Sequence, residues 1–144
     1  IGDLLKLAQR RLTAANLEAE LLVGDATTFQ YDGVFDVVLL SGILPYLDNE
    51  QCQQMLERLA VWSAEQCTLL VRSSVGLEKR IDVINQYSTA LNTRYTGYYR
   101  TVDETRELFL GQGWQALNDE RLYQNHADTA VWWFSFSHGA RQAD

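Results

Sequence analysis

The sequence predicts an α/β fold with a mainly parallel sheet that ends in one antiparallel strand. The run FDVVLL at 35–40 has the continuous apolar character of a strand buried on both faces, and CTLLVRSS at 67–74 is predicted to be the next buried strand. The residues between them have helical spacing, as expected for a crossover between parallel strands. The last two predicted strands are joined by residues 124–129, too short a link for a helical crossover, so they must pair as a hairpin.

The first half of the chain is predicted to form helix, strand, strand, helix and strand. An apolar stripe from Asp3 to Ala15 indicates a helix, and the short run Glu20–Val23 indicates a strand. Between 40 and 67, apolar residues spaced i, i+3, i+4, i+7, i+8 predict a helix with one buried face, capped by Asp48 or Asn49. The first stripe consists of Leu4, Leu5, Ala8 and Leu12, and the second of Cys52, Met55, Leu56, Leu59 and Ala60.

The second half is less regular until residue 101. Residues 76–91 are predicted to be a weakly patterned helix and 92–100, NTRYTGYYR, an aromatic loop. Thr101 and Glu104 have the spacing of a capping box, which opens a helix that ends at Gly111. A strand at 115–123 follows. The final strand alternates from Ala130 onwards and places three aromatic rings on one face.

Composition limits the partners. The 144 residues are 47% hydrophobic and 22% charged, which fits one globular domain, and the net charge of -7 disfavours nucleic acid as a partner. No apolar run approaches the ~20 residues needed to cross a bilayer, and no signal peptide is recognisable, so a cytoplasmic protein without membrane contact is expected. Cys52 and Cys67 lack CxxC spacing, which predicts reduced packing residues and no metal site.

Two motifs resemble a known family. GDA at 24–26 follows a predicted strand, and FDVVLLSGILPYL at 35–47 forms the next strand and its turn. Both are similar to class I (Rossmann-like) S-adenosylmethionine-dependent methyltransferases, whose sheet also ends in a reversed strand. The resemblance covers nearly the whole chain. It implies one methyltransferase-like domain over residues 1–144, a lid or acceptor insertion at 76–100, S-adenosylmethionine as cofactor, and a small-molecule methyl acceptor.

The resemblance also implies roles for the residues after the Glu20–Val23 run. A carboxylate can accept a hydrogen bond from an exocyclic amine while a neighbouring backbone N–H donates to a ring nitrogen. In this way Asp25 and Ala26 would bind the adenine of the cofactor, and Phe29 would cover one face of the ring. Asp25 equally suits a simpler role, capping the turn after its strand.

Further cofactor contacts are expected where the 35–40 strand ends, because α/β sheets place ligands at the carboxyl ends of their strands. The resemblance places the methionine part and sulfonium of the cofactor at Ser41, Gly42 and Ile43. Gly42 also suits a plain turn. Tyr46 takes the position of the family's aromatic residue near the methyl donor, or it packs behind Pro45.

The tyrosines of NTRYTGYYR are candidates for acceptor binding. Tyr95, Tyr98 and Tyr99 are predicted to contact the acceptor, although phenols pack loops equally well. Their catalytic role is open, because methyl transfer needs a general base only for some acceptors and no residue is a clear base.

Two defining features of the family have no counterpart: the glycine-rich loop after the first strand and the acidic residue after the second. IGDLLKLAQRRL matches the helix that follows that acidic residue, so an N-terminally truncated domain lacking the first two strands is expected. The family's sheet order is 3-2-1-4-5-7-6, of which strands 3, 4, 5, 6 and 7 are found. Upstream residues, a second chain, a swapped copy, or direct pairing of ELLV with FDVVLL would complete the sheet.

Two other functions are compatible with the sequence. One is a non-catalytic methyltransferase-like binding or scaffold module. The other is a nicotinamide-dependent Rossmann oxidoreductase, which the reversed last strand and the absence of a hydride-transfer signature disfavour.

Overall fold

The computed structural model describes residues 2–138, so the opening residue, Ile1, lies outside the described part. The helices are α1 (Gly2–Ala14), α2 (Asn49–Trp62) and α3 (Val102–Leu110), with a single 3₁₀ turn at Leu44–Tyr46. The strands are β1 (Phe35–Ser41), β2 (Ser63–Gly76), β3 (Ile81–Ser88), β4 (Thr93–Tyr99), β5 (Gln115–His126) and β6 (Thr129–His138).

The main sheet has the strand order β1-β2-β6-β5. β1 and β2 are parallel, while β6 is antiparallel to both β2 and β5. Three strands therefore run in one direction and β6 runs against them, which confirms the predicted fold class. In the numbering of the resembled family this order is 4-5-7-6.

The core lies between the sheet and the two helices α2 and α3. Asp48 caps α2, because its Oδ1 accepts from the Gln51 N–H at 2.8 Å while the Gln51 side chain accepts from the Asp48 N–H at 3.0 Å. The predicted apolar face of α2 is buried except for Ala60, which is exposed. On α3, Phe109 stacks on Phe136 of β6 with ring centroids 4.5 Å apart. The sheet and helix α2 together position the loops described below.

The secondary-structure predictions for 76–100 were wrong. Instead of a helix and a loop, β3 and β4 form a separate two-stranded antiparallel sheet. The run TRYTGYY consists mostly of aromatic and β-branched residues, which favour a strand, and the helical pattern before it was weak. Asn85, at a register irregularity of β3, and Asn92, in the turn, have φ of 49° and 50°, and asparagine is among the few residues that accept this conformation.

The predicted strand at Glu20–Val23 is not formed. Leu22 and Val23 are 49% and 59% exposed, and the segment pairs with no strand among residues 2–138, so direct pairing of ELLV with β1 is also absent. A strand needs a neighbour to satisfy its backbone groups, and among residues 2–138 no strand lies against the outer edge of β1. The prediction that β1 is buried on both faces was therefore wrong: none of its seven residues is fully buried. Helix α1 likewise buries none of its side chains.

Within the described residues, no helix combines the length and apolarity needed to cross a membrane. Residues 2–138 likewise bring together no cluster of three metal-ligating side chains.

An ion-pair network joins α3 to the final hairpin. Arg106 donates to Asp119 Oδ2 at 2.8 Å and to Asp103 Oδ1 at 2.6 Å, and the Trp132 indole N–H donates to Asp119 Oδ1 at 3.1 Å. Partial burial would raise the pKa of Asp119, but the hydrogen bonds from Arg106 and Trp132 outweigh it and lower that pKa.

We expect Asp119→Asn to lower the free energy of unfolding by about 1 kcal/mol at neutral pH. Because the folded state has the lower Asp119 pKa, this contribution is present above the ordinary aspartate pKa and is lost as the pH falls through the folded value. Urea unfolding at neutral and acidic pH measures both effects. Asp103→Asn is the control, since Asp103 is the more exposed partner of Arg106. Equal stability of Asp119→Asn and the unsubstituted protein at neutral pH would contradict this expectation.

Candidate functional site

The loop at residues 24–29 is organised around the Asp25 carboxylate. Asp25 Oδ1 accepts from the Thr27 hydroxyl at 2.6 Å and from the Thr27 N–H at 2.8 Å, and these bonds lower the pKa of Asp25. The Asp25 carbonyl accepts from the N–H groups of Thr28 and Phe29. Asp25 therefore does cap its turn, as the simpler interpretation predicted.

The same loop has polar atoms that its own structure leaves free. Within residues 2–138, no donor reaches Asp25 Oδ2, and the Ala26 N–H has no acceptor. Asp25 is exposed, while Ala26 packs partly against the core. A charged acceptor and a backbone donor thus stand on adjacent residues, the combination required by an amine next to a ring nitrogen.

Beside this loop is an apolar cavity of about 590 Å³. Three of the predicted cofactor residues line it, namely Ala26, Phe29 and Ile43, and four other apolar side chains contribute: Leu22, Tyr31, Phe35 and Trp62. Phe35 is the first of the seven residues of β1 and Ile43 lies two residues past its end, and at ~3.3 Å per residue the strand is about 20 Å long. The cavity is therefore a groove along β1, of which a flat ligand would fill only part.

Ser41 and Gly42 lie where β1 ends, outside this groove. Gly42 has a φ of 71° and donates its N–H to the Arg72 carbonyl at 2.8 Å, so the turn itself requires glycine. A Cβ at this position would meet no atom within 4 Å. The backbone at Gly42 is thus both constrained by its turn and open to approach from outside.

Three tyrosines form a group next to this strand end, which we call the phenol cluster: Tyr46, Tyr95 and Tyr99. Tyr95 and Tyr99 share a face of β4, and the neighbouring Tyr95 contributes to the raised pKa of Tyr99. Between them, Gly97 has no side chain, and a Cβ there would lie 3.2 Å from the Tyr99 ring and 3.3 Å from the Tyr95 ring. Tyr46, from the 3₁₀ turn, is 57% exposed. The cluster joins the strand end to the β3–β4 hairpin.

Tyr98 lies on the opposite face of β4. The guanidinium carbons of Arg80 and Arg100 are 5.8 Å and 6.0 Å from the centre of its ring. The structure therefore separates Tyr98 from Tyr95 and Tyr99, with which the sequence grouped it, and gives it a packing environment.

Arg100 is a site residue to which sequence reasoning gave no role. Its side chain is 3% exposed and donates to the Leu44 carbonyl at 3.2 Å, the Leu47 carbonyl at 3.0 Å and Asn49 Oδ1 at 2.8 Å. These bonds connect the end of β4 to both the turn with Tyr46 and the start of α2. No local pattern indicates such contacts, because the acceptors are mainly backbone carbonyls far along the chain.

Tyr99 is a neutral phenol at physiological pH. Burial, followed by the proximity of Tyr95, raises the pKa of Tyr99 to about 12. It can therefore donate or accept a hydrogen bond near neutrality, but it is not a phenolate base there.

We expect titration of this phenol to destabilise the fold at alkaline pH. Since the folded pKa lies above the ordinary value of 10.0, the stabilisation is complete below pH 10.0 and is lost as the pH rises towards about 12. Tyr99→Phe should flatten that decline in the free energy of unfolding, measured by urea unfolding over the alkaline range. An identical decline in the variant would show that Tyr99 does not cause it.

Comparisons with known proteins agree on the fold. No protein-family model matches the chain, and no curated protein matches it in sequence. Among solved structures, the chain is similar to the 1,6-didemethyltoxoflavin-N1-methyltransferase of Burkholderia thailandensis, with a TM-score of 0.64 and 14% identity over 83% of this chain. The chain spans 50% of that protein, whose structure contains 1,6-didemethyltoxoflavin and S-adenosylhomocysteine.

Two further structures give the same result. A methyltransferase from Clostridium acetobutylicum has a TM-score of 0.68 and 10% identity, covering 96% of this chain and 72% of its own. The O-methyltransferase of a Brevibacillus brevis trans-AT polyketide synthase, in complex with S-adenosylhomocysteine, has a TM-score of 0.65 and 11% identity, covering 93% and 55%. At these identities the likeness shows the fold: the chain has the class I methyltransferase fold.

Proposed function

We propose that this chain binds S-adenosylmethionine and takes part in methyl transfer to a small molecule. The observation that carries the proposal is the pair of free polar atoms, Asp25 Oδ2 and the Ala26 N–H, beside an apolar groove. The fold supports it, and several neighbours with that fold were crystallised with S-adenosylhomocysteine.

The 24–29 loop suits adenine in its chemistry. Asp25 Oδ2 would accept from the exocyclic amine and the Ala26 N–H would donate to a ring nitrogen, while Phe29 offers apolar surface. Thr27 already fixes the orientation of the carboxylate through Oδ1, so little order has to be gained on binding. The lowered pKa keeps Asp25 charged at neutral pH.

The end of β1 suits the other end of the cofactor. Ser41, Gly42 and Ile43 would contact its methionine part, and Gly42 leaves the backbone open to approach. The aromatic ring of Tyr46 would face the sulfonium, since aromatic faces attract cations. The bound cofactor supplies the methyl group.

The phenol cluster is our candidate for acceptor binding. Tyr95 and Tyr99 would hold the acceptor by ring contact and by their hydroxyls, in line with the methyl donor and away from water. Tyr99 would not act as a general base at neutral pH, because its phenol remains protonated there.

Completion of the sheet remains a prediction. Among residues 2–138, neither the outer edge of β1 nor the 20–23 segment next to the groove has a partner strand, and the side chains of Val37 and Leu39 of β1 are exposed. Upstream residues, a second chain or a swapped copy would provide a partner strand for the edge of β1 and for the 20–23 segment. Exposed strand edges are sites of association. Cofactor affinity is therefore best measured in the intact natural protein.

Asp25 provides the direct test of cofactor binding. Asp25→Asn keeps an oxygen for Thr27 but can place an NH₂ group towards the adenine amine, so we expect affinity for S-adenosylhomocysteine to fall about ten- to a hundredfold. Thr27→Val removes the hydroxyl bond to Oδ1 but keeps the Thr27 N–H that orients the carboxylate, so it is the matched control, with an expected change below about threefold. Calorimetry measures both. Unchanged affinity in Asp25→Asn rules out the adenine contact, and no binding by the unsubstituted protein favours the scaffold alternative.

Substitutions of the hairpin tyrosines distinguish a role in acceptor binding from a role in packing. Tyr95→Phe and Tyr99→Phe should leave S-adenosylhomocysteine affinity unchanged and lower methyl transfer to acceptors found by screening amines, alcohols and phenols. Tyr87→Phe, on the exposed part of the hairpin, is the control. Tyr98→Ala should instead lower the thermal stability, because it removes the ring between Arg80 and Arg100. Full turnover in both Tyr95→Phe and Tyr99→Phe would exclude a role for these hydroxyls.

A further inference from the structure

One side chain of α2, that of Arg58, makes the hydrogen bonds that join the 24–29 loop to the rest of residues 2–138. Arg58 donates its Nε–H to the Thr27 carbonyl at 2.5 Å and an Nη1–H to the Phe29 carbonyl at 3.2 Å. One turn further along the helix, Trp62 meets the Phe29 ring edge-on, with centroids 5.9 Å apart. Two consecutive turns of one helix therefore face the loop.

No other hydrogen bond replaces these two. Within residues 2–138, every other hydrogen bond made by residues 18–34 stays inside that segment, such as Thr27 with Asp25 and Tyr31 with Glu20. The segment has no strand pairing to fix it. The position of the 24–29 loop relative to the sheet thus depends on the hydrogen bonds of Arg58 and on the apolar packing of Phe29 and Ala26.

We propose that Arg58 is a positioning residue for cofactor binding, which it serves by holding the 24–29 loop against α2. The proposal rests on the proposed function. Arg58 binds the carbonyls of the loop from the side of α2, while Asp25 Oδ2 and the Ala26 N–H stay free for a ligand. Arg58 would act by positioning Asp25 Oδ2 and the Ala26 N–H, and it does not itself contact the ligand.

The chemistry of the contact requires arginine. A guanidinium carries several N–H groups in a rigid plane and can bind two carbonyls at once, whereas a lysine ammonium is a single flexible point charge. In the part of the chain that the structure describes, no carboxylate forms an ion pair with Arg58. Its hydrogen bonds are directed at the loop backbone, so replacing Arg58 changes the loop without breaking an ion pair elsewhere.

The test compares Arg58→Met and Arg58→Lys with Arg106→Met, which removes a helix arginine whose partners are carboxylates remote from the loop. Calorimetry with S-adenosylhomocysteine should show about tenfold weaker binding for Arg58→Met, an intermediate value for Arg58→Lys, and no change for Arg106→Met. In the ligand-free protein, the amides of Thr28 and Phe29 should exchange hydrogen faster in Arg58→Met only.

A double-mutant cycle distinguishes positioning from general stability. If Arg58 acts through Asp25, then Arg58→Met should weaken binding less in an Asp25→Asn background than in the unsubstituted protein. Equal fold-changes in the two backgrounds, or full affinity in Arg58→Met, would overturn the inference while leaving the proposed function intact. If the unsubstituted protein does not bind S-adenosylhomocysteine at all, the proposed function fails first, and the role of Arg58 in cofactor binding fails with it.

Discussion

Hydrogen bonds from two arginine side chains to backbone carbonyls hold the loops of the candidate site in place. Loops cannot satisfy their own carbonyls as helices and strands do, and these loops lie beside a packed core. Arg100 binds the carbonyls of Leu44 and Leu47 near the start of α2, and Arg58 of α2 binds those of Thr27 and Phe29. Helix α2 is in turn fixed by its buried apolar face against the sheet. The candidate cofactor loop and the candidate acceptor hairpin are therefore both held in position by contacts with α2.

The open edge of the sheet explains why one side of the site is built from regular secondary structure and the other from turns and loop. β2 lies between two strands, whereas β1 has a neighbour on one side only. On the regular side, the turn after β1, the phenol cluster and the β3–β4 hairpin are joined by Arg100. On the open side, residues 15–34 have no regular structure and border an apolar groove along β1. A strand beside β1 would fill part of that groove and leave the polar atoms of Asp25 and Ala26 for a ligand.

The sequence predicts the elements whose signals are local. The apolar runs that became β1 and β2, the apolar face of α2, the capping box at Thr101 and the final hairpin all follow from periodicity and short spacing. Two segments were predicted wrongly. The run ELLV has strand character, but no neighbour among residues 2–138 satisfies its backbone groups, and TRYTGYY, predicted to be a loop, pairs with the adjacent strand β3. Likewise, the turn around Asp25 was predictable, whereas Arg58 and Arg100 bind carbonyls up to 31 and 56 positions away.

The most direct test of this account is a crystal structure of the intact protein with S-adenosylhomocysteine bound. The account predicts the exocyclic amine of adenine within hydrogen-bonding distance of Asp25 Oδ2 and a ring nitrogen within reach of the Ala26 N–H. In the same structure, Thr27 should still donate to Asp25 Oδ1 and Arg58 should still bind the Thr27 carbonyl. Adenine bound away from the 24–29 loop, or in contact with it while Asp25 Oδ2 faces solvent, would contradict the account.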